Sequence, residues 1–320
     1  MQGKAGFVII LSMHDIKVGV IGVGHLGSIH AQIYKNIKNC RLIGICDKNK
    51  TRLNEISKNL DVPGFSDYRQ LFDKVDAVSI AVPTQLHHKV AKEFLSNNIH
   101  TLVEKPFTVT LGQADDLIRI AEKKKLILQV GHIERFNTAF NATLKLIKEP
   151  KFIECHRLSL FPNRSLDIGA VLDIMIHDID IVLGLVNSKI RRIESLGINV
   201  LTEFEDIANA RITFNNGCVA NLTASRVSDE TMRKIRIFQE DTYISLDYKN
   251  AQASVYRKEG LTITKTDLPI EKEQPLQKEL ESFINCVISH SQPLVSGPVA
   301  RQALAVALKI RNQIWRKKRK

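Results

Sequence analysis

The sequence predicts a doubly wound α/β domain with a parallel sheet, followed by an α+β domain built on a large, mainly antiparallel sheet. Three observations carry that expectation. From Lys17 to Gly131, short runs that are apolar at every position alternate with segments of helical periodicity. After Phe136 the apolar residues change to period-two alternation. Between the first apolar run and the first helical segment stands Gly22-Val23-Gly24-His25-Leu26-Gly27. Continuously apolar strands are buried on both faces, as in a parallel sheet covered by helices, whereas alternating strands bury one face only.

In the first half the expected strands are 18–21, 42–46, 77–82, 101–103 and 126–130, and helical patterns run over 26–37, 52–60, 90–95 and 111–124. The last opens with Thr110 and Gln113 in capping-box spacing. In the second half, 208–214 alternates, Asn216-Gly217 supplies a hairpin turn, and 218–225 alternates back. Runs 152–158, 192–200, 235–238 and 243–246 are further strand candidates. Two helices close the chain, one presenting Leu276, Leu280, Phe283, Ile284 and Val287, the other over 299–315. The expected division is 17–131 for the first domain and 132–320 for a substrate-binding and oligomerisation domain. Residues 1–16 read as a leader or misassigned start: the apolar run 5–11 lacks an A-x-A cleavage site, and Met13 follows at once.

Composition narrows the class. A chain of 320 residues, 44% hydrophobic and 25% charged, can bury a core without staples and is neither disordered nor collagen-like. The net charge is +12, and Arg316, Lys317, Lys318, Arg319 and Lys320 contribute to it as a solvated terminus rather than a nucleic-acid site. The five cysteines include no C-x-x-C pair, which excludes a disulfide framework and a zinc cluster and fits a cytoplasmic protein. No run approaches the roughly 18 apolar residues of a membrane span.

The glycine loop fits G-x-G-x-x-G between strand and helix, the Rossmann arrangement in which backbone N–H groups at a helix N-terminus receive a pyrophosphate. Asp47 stands about 20 residues on, at the end of the second run, where a carboxylate accepts hydrogen bonds from an adenosine ribose. Gly22, Gly24, His25, Leu26, Gly27 and Asp47 are therefore candidate cofactor residues. Asp47 favours NAD by repelling a 2′-phosphate, while Lys48, Lys50 and Arg52 leave NADP open.

Further along, Val82-Pro83-Thr84, His87, Val90-Ala91, Glu104-Lys105-Pro106 and Asp173-Ile174-Met175-Ile176-His177 resemble the motifs of the Gfo/Idh/MocA family of nicotinamide-dependent sugar oxidoreductases, from about Val18 to the C-terminal helix. The resemblance implies a homodimer or homotetramer, a substrate lying between nicotinamide and the open face of an antiparallel sheet, and cofactor contacts from Pro83, Thr84, His87, Glu104 and Lys105. The residues read independently agree. Lys105 follows a buried run and emerges at the carboxyl end of a parallel sheet, where ligands bind. Asp173 and His177 are four apart on one helix face, so the carboxylate can orient the imidazole. His177 is the expected base, Asp173 its orienter, and Lys105 the cation for a developing alkoxide.

A narrower likeness, over 130–137, 156–159 and 171–180, is to family members that oxidise the 3-hydroxyl of UDP-N-acetylglucosamine. Arg135, Arg157 and Arg164 could meet the pyrophosphate of such a substrate, and His132 could line the cleft. The alternatives are an inositol or other polyol dehydrogenase, a dihydrodiol or biliverdin-type reductase, and a non-catalytic dinucleotide sensor. No metal is expected.

Overall fold

The computed structural model describes residues 15–161 and 168–318. The expectations placed on residues 1–14, on Arg164 and on the terminal Arg319 and Lys320 lie outside the described residues. No helix among the described residues is long and apolar enough to cross a membrane.

The first half runs β1 (Ile16–Ile21), α1 (His25–Tyr34), β2 (Cys40–Cys46), α2 (Lys50–Leu60), β3 (Gly64–Phe65), β4 (Ala77–Ile80), α3 (Thr84–Ser96), β5 (His100–Glu104), α4 (Leu111–Lys124) and β6 (Leu128–Gly131). Its six strands pair in the order β3-β2-β1-β4-β5-β6, all parallel. This is the dinucleotide-fold order, whose switch point lies between β1 and β4. Residues of β4 are buried at every position, the physical counterpart of its uninterrupted apolar run. Local chemistry sets the helix ends. Thr110 Oγ1 accepts the Gln113 N–H at 3.3 Å, and Gln113 Oε1 accepts the Val109 N–H at 3.2 Å, a capping box shifted by one residue on its return bond.

After the short helix α5 (Thr138–Thr143) come β7 (Phe152–Leu158), a π-helical turn over Val171–Met175, α6 (Ile176–Leu185), β8 (Ile190–Ile198), β9 (Ile207–Phe214), β10 (Val219–Ser225), β11 (Met232–Gln239), β12 (Thr242–Asp247), β13 (Gln252–Glu259), β14 (Thr262–Asp267), α7 (Pro275–Ser289) and α8 (Gly297–Lys318). The eight strands order as β14-β13-β12-β11-β7-β10-β9-β8. Only β7 and β10 pair in parallel. The Asn216-Gly217 turn closes β9 onto β10, with Gly217 at φ +86°. β13 and β14 were not legible: β14 is exposed at nearly every position and carries no apolar alternation.

α7 does not stay with the second sheet. Its Leu276, Leu280, Phe283, Ile284 and Val287 share a core with Val18, Val20, Ala31 and Tyr34 of β1 and α1. The chain thus returns to the first domain, and Gln129 Nε2 donates to Glu279 O at 3.2 Å across that contact.

Candidate functional site

The loop after β1 is shaped by its glycines. Gly22 has φ +85°, and a Cβ there would lie 2.7 Å from Ala81 O. A Cβ on Gly27 would collide with the Gly22 carbonyl oxygen. Both glycines are therefore demanded by the close packing of α1 against the strand ends. Gly24 is different, because a Cβ there would meet only Arg52 Nη1, at 3.7 Å. Packing does not require that glycine. It keeps open the space above the N-terminus of α1, which has no side-chain cap, so free N–H groups and the helix dipole face an anion there. The residues present fit a dinucleotide.

Asp47 is held at the end of β2. Its Oδ2 accepts the Val23 N–H at 3.0 Å, its Oδ1 accepts the Asn49 N–H at 2.8 Å, and Arg52 Nη1 lies 3.5 Å from Oδ2. His25 is exposed beside the loop and Leu26 packs on the core. Pro83 caps α3 and Thr84 opens it, on the strand end that Gly22 touches. Two other expected cofactor residues have internal partners for their side chains. His87 is buried, with Nδ1 2.9 Å from Pro106 O and Nε2 2.8 Å from Val82 O. It braces two loops, and burial lowers its pKa. Glu104 is buried against Gly131, its Oε1 3.2 Å from His30 Nε2, while His30 Nδ1 meets Ser79 Oγ at 2.7 Å.

Lys105 emerges where β5 ends, and its partner is not the expected one. Lys105 Nζ donates to Asp173 O at 2.6 Å and to Asp173 Oδ1 at 3.0 Å. Asp173 and His177 share no hydrogen bond. The reason lies in the backbone: residues 171–175 form a π-helical turn, closed by the Ile176 N–H on Val171 O. The wider turn takes the two residues off the common row that four-residue spacing gives in an α-helix. Asp173 thus positions Lys105, a correction to its expected role as orienter of the imidazole.

His177 is half-buried, and its Nδ1 is enclosed with no hydrogen-bond partner among the described residues. Burial first, then the charges of Lys105, Arg157, His132 and Arg233, hold its pKa well below the usual histidine value. The ring is therefore neutral at physiological pH and able to take a proton. A second correction concerns the sheet. Asp178, next in sequence to His177, is paired with Arg157 on the buried row of β7. The Lys105–His177 cleft therefore belongs to the helix-covered side of the sheet, not its open face.

The expected substrate arginines are engaged internally. Arg157, 5% exposed, gives Nη1 to Glu134 Oε1 at 2.7 Å and Nη2 to Asp178 Oδ1 at 2.8 Å, with Cζ 5.6 Å from the Tyr248 ring centre. Burial opposes its charge, but Asp178 and Glu134 outweigh burial and raise its pKa well above the arginine value. Arg135 gives Nε to Asp180 Oδ2 at 2.6 Å. His132 is enclosed, with Nδ1 4.0 Å from Asp180 Oδ2 and its ring edge-on to His177 at 6.1 Å. It stands against His177 rather than at the cleft surface. Sequence reasoning passed over Arg233, which is exposed on β11 directly opposite Arg157. The signal was there: by period two, Arg233 lies on the row of buried Ile235 and Ile237.

Comparison with known proteins agrees with this architecture. Residues 16–132 match the family model of the oxidoreductase family with an NAD-binding Rossmann fold, and residues 149–245 match the Gfo/Idh/MocA C-terminal domain. The chain is 38% identical to the UDP-N-acetylglucosamine 3-dehydrogenase of Acidithiobacillus ferrooxidans, over 93% of this chain and 97% of that protein. The solved structure of that enzyme superposes with a TM-score of 0.89 over the same shares. A myo-inositol 2-dehydrogenase of Thermotoga maritima is 26% identical over 95% of this chain and 97% of its own length. An Agrobacterium radiobacter oxidoreductase in complex with NAD+, L-tartaric acid and magnesium shares the fold, with a TM-score of 0.84 at 20% identity over 94% and 96% of the two chains.

Proposed function

The chain belongs to the Gfo/Idh/MocA oxidoreductase family, and from that premise we propose that it is an NAD-dependent dehydrogenase of the 3-hydroxyl of UDP-N-acetylglucosamine. The observation that carries the reaction type is the Lys105 ammonium fixed by Asp173 beside an imidazole kept neutral. The relative at 38% identity supports the substrate.

Gly22, Gly24 and Gly27 with the N-terminus of α1 hold the pyrophosphate, Asp47 takes the ribose, and Pro83 and Thr84 border the nicotinamide end. When bound, a nicotinamide would supply the acceptor for the hydride of the carbinol carbon. His177 takes the hydroxyl proton, and Lys105 stabilises the oxygen as negative charge develops. Asp173 keeps Lys105 aimed, since two acceptors from one residue fix its ammonium. A cofactor sensor has no need of this trio.

Asp47 supports NAD over NADP through repulsion of a 2′-phosphate, tempered by half-exposed Arg52 at 3.5 Å. The outer face of the larger sheet carries the ring row Phe152, Phe238, Tyr243 and Tyr256, with successive centroids 5.7, 4.7 and 4.7 Å apart. That row supports pairing with a second copy of the chain as a dimer or tetramer. Five free cysteines support a reducing, cytoplasmic setting.

The test is NADH formation by the purified protein with UDP-N-acetylglucosamine, N-acetylglucosamine and myo-inositol as competing substrates. Turnover of the UDP-sugar above the others is expected. Turnover of myo-inositol alone would replace this substrate with a polyol, and NADH formation from none would reject the dehydrogenase reading.

A further inference from the structure

Among the described residues, four cations near the cleft are spent on internal partners. Lys105 is held by Asp173, Arg135 by Asp180, Arg157 by Glu134 and Asp178, and Arg226 by Asp206. Each neutralised guanidinium is costly to redirect, because leaving its buried carboxylates unpaired costs several times what a new ligand contact returns. Arg233 differs. It stands opposite Arg157 in the β7–β11 register, on the helix-covered side of the sheet, yet it is exposed. Among the described residues its guanidinium makes no hydrogen bond and no ion pair. Its cross-strand partner Arg157 is bound by Asp178, next in sequence to His177, which places Arg233 near the end of α6 that carries the chemistry.

We propose that Arg233 is the anion-recognition residue of the substrate cleft and takes a phosphate group esterified to the sugar. This rests on the reading of His177 as the site of chemistry. A sugar whose 3-hydroxyl meets His177 carries a C1-linked phosphate only two ring carbons from the reacting centre, within the span between neighbouring elements of the cleft. An arginine offers that phosphate two parallel N–H donors, and one without an internal carboxylate gives up no existing pair to do so. Its cross-strand neighbour Arg157 is fixed by Glu134 and Asp178, so of these two arginines Arg233 is the one open to neutralisation from solution. Arg233 therefore selects phosphate-bearing sugars over free polyols. The phosphate can belong to a nucleoside diphosphate sugar or to a hexose phosphate, and the two differ in what else competes for the site.

The experiment uses the full chain with NAD and compares wild type, Arg233→Ala and Arg233→Lys. Calorimetric titration with UDP and with glucose 1-phosphate reads binding whether or not either is turned over. UDP affinity is expected to fall about 10- to 100-fold in Arg233→Ala, the scale of a lost hydrogen bond to a charged group, and to recover partly in Arg233→Lys, which restores the charge without the planar fork. The preference in kcat/KM for UDP-N-acetylglucosamine over N-acetylglucosamine should fall by the same factor. Binding of UDP but not of glucose 1-phosphate assigns the phosphate to a nucleotide, and the reverse assigns it to a hexose phosphate. Unchanged affinity in Arg233→Ala, or wild-type protein that binds neither compound, overturns the proposal. Loss of NADH formation from every sugar tested would instead count against the dehydrogenase reading.

Discussion

Removing Arg157 should unfold the protein more readily rather than weaken substrate binding. The guanidinium is buried, donates to Glu134 and Asp178 at 2.7–3.2 Å, and lies over the Tyr248 ring. Arg157→Ala leaves two buried carboxylates without their cation. Breaking a buried pair from one side costs about 3–5 kcal/mol. For 320 residues, an unfolding entropy of about 2.1 cal/mol/K per residue converts this to a Tm drop of roughly 4–7 °C. The pH dependence has a definite sign. Burial already holds the Asp178 carboxyl above its usual value against the opposing pull of Arg157, and removing the guanidinium raises it further. That carboxyl then costs stability as pH climbs above its unfolded pKa, and the cost fades as pH falls. The deficit should therefore be larger near pH 8 than near pH 5. Thermal unfolding by circular dichroism at both pH values, with NAD held constant, measures it. An unchanged Tm accompanied by a tenfold loss of UDP affinity would refute the argument and return Arg157 to the substrate site.

Gly24→Ala should leave Tm within about 1 °C, since its Cβ meets only Arg52 at 3.7 Å, yet weaken NAD; Gly27→Ala should lower Tm, because its Cβ collides with the Gly22 carbonyl. Fluorescence titration of NAD alongside melting separates the two. Asp47→Asn should weaken NAD by about tenfold or more and narrow its advantage over NADP, as a charged acceptor for the ribose is lost; unaltered cofactor preference in a binding titration would move ribose recognition elsewhere. His177→Ala should lower kcat about 100- to 10,000-fold. In the wild type, the acid limb of kcat/KM for oxidation should lie below pH 6.5, because the imidazole pKa is held down by burial and its cationic neighbours. A limb above pH 7 that survives in His177→Ala would assign the base to another group.

The glycine loop, Asp47 and the Thr110 cap were legible because each is a local requirement. Thr110 takes the Gln113 N–H three residues on, and Asp47, 24 residues from Val23, ends the strand that pairs in parallel with β1 and so meets the glycine loop. The parallel sheet was legible because burial on both faces leaves uninterrupted apolar runs. Partner choice was not. Asp173 bonds Lys105, 68 residues away, instead of His177 four residues on, because a π-helical turn reorients it and an ammonium at the end of β5 competes for it. Arg157 and Arg233 belong to rows of one sheet face by period two alone, but only the β7–β11 register and the placement of α6 over one of them decide which is buried among carboxylates and which meets solvent. α7 read as an amphipathic helix of the second domain, yet it buries its apolar face on β1 and α1. Periodicity states that a face must be covered. Which distant surface covers it is set by three-dimensional packing, to which every apolar stripe of similar width looks alike in sequence.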